Sequence, residues 1–306
     1  MNMCVKISNK IIFILNKLKR IQRNKWFGRM LLIFSFFYPI GLIYLSWEEI
    51  KELKWDSLFY SFSISFLLYL VSLLFQSLNW SIIVNGNLSD FIHDSEIYFR
   101  TVLMRRLPGG FWHWLGRINF YNVDDIKDKN KIIRANVSEW GALILTGIST
   151  FLFVKNYIAG ILSFIITFAV LLILRIHAHG RSFNDFLWGL FLVCSYTICW
   201  ILGGLILNIL TSDMILINSL PLKVAFSTWA LTGTTGTLVF FLPSGIFIRE
   251  FSLTALLLPY LGISNIILLA LLLRLIFTFS DIIGSLMGLG GIRLIKKLNS
   301  VLFTGD

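Results

Sequence analysis

The chain has 306 residues, of which 57% are hydrophobic and only 14% charged, against about 25% charged in a soluble globular domain. With a mean hydropathy of +0.79, 28 Phe and 10 Trp, it cannot cover itself with polar surface in water, which excludes soluble enzyme folds, DNA-binding modules and intrinsic disorder. The 27 Lys and Arg outnumber the 16 Asp and Glu and put the pI near 9.7; membrane topology accounts for that excess without nucleic acid.

In chain order, residues 1–29 come first. Val5, Ile7, Ile11, Ile12, Leu15 and Leu18 recur at roughly helical spacing with Lys and Arg between them. This predicts a basic amphipathic segment on an anionic, cytoplasmic membrane surface; a solvated basic tail is the plainer alternative. No small-residue cleavage site follows, so it does not read as a signal peptide. Apolar runs near the ~20 residues a bilayer requires follow at 30–47, 58–80, 135–154, 157–174, 186–210, 222–242 and 266–289, with a shorter piece at 251–261. A polar-to-amphipathic stretch, 81–134, interrupts them. Lipid forces backbone hydrogen bonds to close within each segment, so all are expected to be helical. The predicted fold is an all-α, polytopic integral membrane protein of about eight membrane segments. Residues 30–289 form its transmembrane domain and 290–306 a short cytoplasmic tail.

Threading the spans from a cytoplasmic N-terminus puts 22 of the 27 Lys and Arg on the cytoplasmic side and 3 on the other. That asymmetry predicts a multi-pass plasma-membrane protein with both termini cytoplasmic. It requires residues 251–261 to form, with their neighbours, a single passage. Cys4, Cys194 and Cys199 form no metal or disulfide pattern and read as buried, inert thiols.

Repetition is the most informative feature. Leu107-Pro108-Gly109-Gly110-Phe111 recurs as Leu242-Pro243-Ser244-Gly245-Ile246. Proline blocks helix continuation and glycine lets the backbone bend or approach a ligand. Two such breaks in corresponding halves point to a transporter-type site at a repeat interface. The register extends: thirty-one residues beyond Pro108 lies Glu139, and thirty-one beyond Pro243 lies Arg274. Both fall in apolar helices, where an unpaired charge is costly. The signs are complementary, Arg117 before Glu139 and Glu250 before Arg274. Each copy is therefore expected to pair its break-segment charge with its helix charge, leaving Arg249 and Arg106 for an anion. Asp281, seven residues after Arg274, is an alternative partner for it. An odd number of crossings between the breaks would make the repeats inverted.

The first break runs on into Trp112-His113-Trp114 and Arg117. Indoles favour the headgroup zone, and guanidinium groups grip phosphate bidentately. The expected lipid-phosphate seat comprises Arg106, Pro108, Gly109, Gly110, Trp112, His113, Arg117, Pro243, Gly245 and Arg249. The expected intramembrane charge pairs draw on Glu139, Glu250, Arg274 and Asp281. The Gly- and Thr-rich stretch 232–237 lacks the lysine of a phosphate loop and reads as a close-packing or kinked helix segment. Gly284 and Gly288 read as packing positions, Gly290 and Gly291 as the helix end. His177 and His179 are two apart and make a poor metal pair. No catalytic residue, metal site or cofactor is expected.

Asn79-Trp80, the run from Leu107 to Arg117 and Glu139 resemble the first half of the lysylphosphatidylglycerol synthase transmembrane region, the flippase-like domain family. Leu242 to Glu250, followed by Arg274, resembles its second half. The resemblance implies translocation of an anionic or aminoacylated phospholipid, or of a polyprenyl-linked lipid, between leaflets. Phe247 stands where the family more often has glycine. No soluble aminoacyltransferase domain follows the membrane region, so the resemblance implies no aminoacyl-lipid synthesis by this chain alone. The expected partners are an anionic phospholipid or polyprenyl-phosphate lipid, the bilayer, and a glycosyltransferase or lipid synthase, with no nucleic acid. Two alternatives stay open: a non-transporting partner of such an enzyme, or an embedded lipid-modifying enzyme using His113 and Glu139.

Overall fold

The computed structural model describes residues 41, 44, 47–52, 55–106, 112–121, 126–179, 183–214, 220–239 and 248–303. The amphipathic segment 1–29, most of the 30–47 span and both break motifs lie outside the described residues. Among those described, regular structure is entirely helical: α1 (Trp47–Glu52), α2 (Trp55–Asn85), α3 (Phe91–Val102), a 3-10 turn (Leu103–Arg106), α4 (Trp112–Phe120), α5 (Ile126–Lys155), α6 (Tyr157–His179), α7 (Phe183–Met214), α8 (Leu222–Leu238), α9 (Ile248–Leu257) and α10 (Ile263–Phe303). Five of them, α2, α5, α6, α7 and α10, are long and apolar enough to cross a membrane.

Local chemistry sets the helix ends. α2 stops where Gly86 takes φ 80° and its N–H donates to the Ile82 carbonyl at 3.0 Å, a glycine-terminated helix end. α5 and α6 form a tight hairpin around Asn156. Its side-chain oxygen accepts from the N–H groups of Ile158 (3.0 Å) and Ala159 (3.2 Å), capping α6. Gly160 lets that turn close, because a Cβ there would strike the Phe153 backbone.

Several bounds differ from those the sequence predicts. α2 runs past residue 80 to Asn85, and the 81–134 stretch contains α3, the 3-10 turn, α4 and the first turns of α5. α8 ends at Leu238 rather than 242, at the Gly- and Thr-rich stretch. α10 does not end at Gly290 and Gly291. It continues to Phe303, and both glycines face open space. Gly284 and Gly288 do pack: a Cβ would meet Leu73 at 2.9 Å and Phe99 at 2.5 Å respectively.

α2 lies along α7; α5 packs between α6 and α8; α8 also packs on α7 and α9; α10 leans on α3, α2 and α9. One core joins α7 to α10 around Trp200, Leu207, Leu257 and Ile276. A second joins α2, α3, α5 and α10 around Trp80, Tyr98 and Ile132. Outward faces are apolar: Ile161, Ile165 and Ile166 on α6, and Phe279, Ile283 and Leu286 on α10, are exposed. That pattern suits helices whose outer surface meets hydrocarbon rather than water. Cys194 belongs to it, exposed rather than buried, while Cys199 is half-buried and its thiol donates to the Ser72 carbonyl at 3.7 Å.

Two polar clamps tie the elements together. Arg175 of α6 donates to Asp185 of α7 at 2.8 Å, and to the Ile82 carbonyl (3.2 Å) and Gly86 carbonyl at the C-terminal end of α2. A guanidinium is well suited to the partial negative charge of carbonyls at a helix C-terminus. Asp94 of α3 accepts from Ser81 Oγ (2.6 Å), Asn85 Nδ2 (2.8 Å) and the Tyr121 hydroxyl (2.7 Å). Burial pushes its carboxyl above the usual carboxylate range, and the Ser81 and Tyr121 bonds offset only part of that.

Candidate functional site

Nine helical elements converge on one cavity of about 230 Å³. The residues that bound both breaks line it: Arg105 and Arg106 before the first and His113 after it, Gly236 and Thr237 before the second and Arg249 after it. Trp114, Trp140, Trp200 and Trp229 form much of the apolar wall. Pro108, Gly109, Gly110, Pro243 and Gly245 lie outside the described residues. Trp112, half-buried at the start of α4, is not among the lining residues.

Both charge pairs expected from the register are present. Arg117 of α4 bonds both carboxylate oxygens of Glu139 on α5, one of them (Oε1) at 3.3 Å, and the Asn136 side-chain oxygen at 3.1 Å. Its guanidinium lies 3.8 Å from the centre of the Trp80 ring and 5.1 Å from that of Tyr98. Arg274 of α10 donates to Glu250 of α9 at 2.6 and 2.7 Å. In each case a short helix after a break is fixed to the next long helix by one ion pair.

Three expectations change. Asp281 does not partner Arg274. Fully buried on α10, it accepts from Arg105 (2.5 Å) and from Arg106 Nε (2.6 Å). The two adjacent arginines sit on a 3-10 turn that aims both at one carboxylate, while Arg274 lies closer to Glu250. Arg106 is therefore not an uncommitted cation, although among the described residues only its Nε is engaged. Arg117, 4% exposed, is also committed, its charge spent on Glu139. Glu139 is held in turn at both oxygens.

Arg249 is different. Among the described residues it makes no ion pair and no hydrogen bond, and its Nε is buried without an acceptor. The stem of this side chain crosses α8 at Gly236, where a Cβ would lie 2.6 Å from Arg249 Cγ and 2.7 Å from Nε. The glycine thus makes the groove through which the arginine reaches the cavity. The neighbouring glycines serve packing in the same way. A Cβ on Gly233 of α8 or on Gly147 of α5 would strike the Trp200 ring, and one on Gly203 of α7 would strike Trp229.

Sequence reasoning missed the network behind the turn. Arg105 donates to the Tyr69 hydroxyl (2.7 Å) and to the Gln76 side-chain oxygen (3.3 Å), which also accepts from the Tyr98 hydroxyl (2.9 Å). Tyr69 and Gln76 within the apolar α2, and Tyr98 on the amphipathic α3, were the available signal. Trp140 was also missed; its indole donates to the Thr237 carbonyl at 2.8 Å beside the second break. Among the described residues, no group of three or more His, Cys, Asp or Glu side chains gathers that could hold a metal.

No protein-family model matches the chain, and neither a curated protein nor a solved structure is detectably similar to it.

Proposed function

We propose that this protein binds the phosphate of an anionic phospholipid or polyprenyl-phosphate lipid in the central cavity and carries it between leaflets. The observation that supports this most is Arg249: a guanidinium with no partner among the described residues, on a cavity lined by residues bounding both breaks. An unpaired cation among tryptophan rings is costly to keep, and an incoming anion removes that cost. Arg106 offers its Nη groups, unengaged among the described residues, to the same ligand, and the four indoles provide an apolar surround in which the attraction is weakly screened. In this reading the phosphate enters the cavity and the acyl or prenyl chains stay in lipid. The two ion pairs, Arg117–Glu139 and Glu250–Arg274, hold the short helices as two repeats rock about the site. Membership of the flippase-like domain family, a plasma-membrane location and cytoplasmic termini belong to the same proposal. They rest on the motif resemblance and the distribution of Lys and Arg.

The test is a leaflet assay. Purified protein is reconstituted in liposomes with a fluorescent phosphate-bearing lipid, and redistribution is read by quenching from one side. Wild type should accelerate it. Arg249→Ala should abolish the acceleration and Arg249→Lys retain part of it. Equal rates for wild type and Arg249→Ala would reject the carrier reading and favour a non-transporting partner of a lipid enzyme.

A further inference from the structure

We infer that the cavity selects a phosphomonoester, a headgroup with two negative charges, over phosphodiester and aminoacylated headgroups. This rests on the phosphate-binding reading above and narrows it. The first argument is charge. Four arginines meet the cavity, Arg105, Arg106, Arg117 and Arg249. Two carboxylates answer them: Glu139 is taken by Arg117, and Asp281 is shared by Arg105 and Arg106. The nearby Glu250 is consumed by Arg274. The break segments, 107–111 and 240–247, contain no charged residue. Among the described residues, the four guanidinium groups thus exceed their carboxylate partners by two charges. A phosphodiester would neutralise one; a phosphomonoester neutralises both.

A second argument excludes the cationic headgroup that the family resemblance allows. An aminoacyl lipid brings an ammonium group, which needs a carboxylate. Glu139, Asp281 and Glu250 are each already bonded to an arginine, so that ammonium would meet surplus positive charge. Size is the third. About 230 Å³ falls below the roughly 300–1,000 Å³ of pockets that enclose drug-sized ligands. A bare phosphate fits that space, and a headgroup carrying several sugars does not. The donors also suit: the planar fork of Arg249 and the remaining nitrogens of Arg106 match phosphate oxygens two at a time.

The experiment measures binding to the detergent-purified full chain by ligand-induced thermal stabilisation and calorimetry. The probes are dihexanoyl phosphatidic acid, dihexanoyl phosphatidylglycerol, lysyl-phosphatidylglycerol and inorganic phosphate. At pH 8, phosphatidic acid should bind about tenfold or more tighter than phosphatidylglycerol, with the lysylated lipid weakest. That preference should shrink towards pH 5, because a phosphomonoester regains its second proton near pH 6. Tyr69, Tyr98, Glu139, Cys199 and His113 also face the cavity. The diester does not titrate in this range, so its pH profile isolates their contribution. Protonation of His113 would strengthen anion binding as pH falls, the opposite trend. Arg249→Gln and Arg106→Gln should each reduce the preference. If Arg249→Gln does not fold, Arg249→Lys, which keeps the charge and loses the fork, should show an intermediate preference. Equal binding of the two glycerophospholipids, or tightest binding of the lysylated one, would overturn the phosphomonoester inference and leave an anionic-lipid site standing. Inorganic phosphate as tight as phosphatidic acid would support the dianion site and overturn the lipid reading. No binding of any probe would overturn both.

Discussion

Replacing Glu139 by glutamine tests how much the first ion pair holds. The Arg117 and Glu139 side chains are 4% and 8% exposed, so losing one partner leaves the other charge buried, which costs about 3–5 kcal/mol. Glu139→Gln belongs at the lower end, about 3 kcal/mol. Arg117 keeps its bond to Asn136 at 3.1 Å and its place 3.8 Å from Trp80, and the new amide can still accept. Arg117→Met belongs at the upper end, about 5 kcal/mol, because it also forfeits the stacking on Trp80, itself worth about 2 kcal/mol when desolvated. The double variant, Arg117→Met with Glu139→Leu, should return to within about 2 kcal/mol of wild type, since an apolar pair leaves no orphaned charge. Equilibrium unfolding in mixed micelles, followed by circular dichroism, measures all three. Single variants costing less than about 1 kcal/mol, or costs that simply add in the double variant, would refute the buried-pair reasoning. The double variant also separates two roles. If it folds and still moves lipid, the pair only holds the fold; if it folds and is inactive, the pair takes part in the movement.

Two further outcomes follow from the structure. Gly236→Val crowds the Arg249 stem, and overpacking of this kind costs about 1–3 kcal/mol; because no partner among the described residues holds Arg249, it can swing aside. A stability loss near the lower end is therefore expected, with a larger loss in phosphatidic acid affinity, about tenfold, read by calorimetry. Asp94 sets a pH dependence. Its carboxyl is raised in the folded state, so its stabilising contribution is complete below the ordinary aspartate value and is lost as pH rises through the raised one. Melting temperature should fall over that interval in wild type and stay flatter in Asp94→Asn.

The sequence made some of this arrangement legible. Long apolar runs located α2, α5, α6, α7 and α10 because spanning a bilayer leaves a signal of about twenty residues. Their ends were less legible, since α2 and α10 extend beyond the apolar runs; in α2 packing sustains the added turn, with Ile82 and Val84 buried. Both ion pairs were legible because an intramembrane charge demands a partner and each copy supplied one at matching register. The Arg105–Arg106–Asp281 cluster was not, because 175 residues separate Arg106 from Asp281 and no local pattern joins them. The same distance hid the true surplus of charge. Arg106 looked as available as Arg249 until Asp281 was in place. Gly236 read as a packing glycine, and only the fold shows that what it accommodates is the one cavity arginine without a partner among the described residues.

The most direct test of a phosphate held in the central cavity is photolabelling with a phosphatidic acid carrying a diazirine beside its headgroup, with the labelled residues mapped by peptide mass spectrometry. Labels should fall on cavity residues such as Leu143 and Thr237 in wild type and disappear from them in Arg249→Ala. Labelling confined to outward-facing positions such as Ile165 and Phe279, and unchanged by Arg249→Ala, would contradict the account.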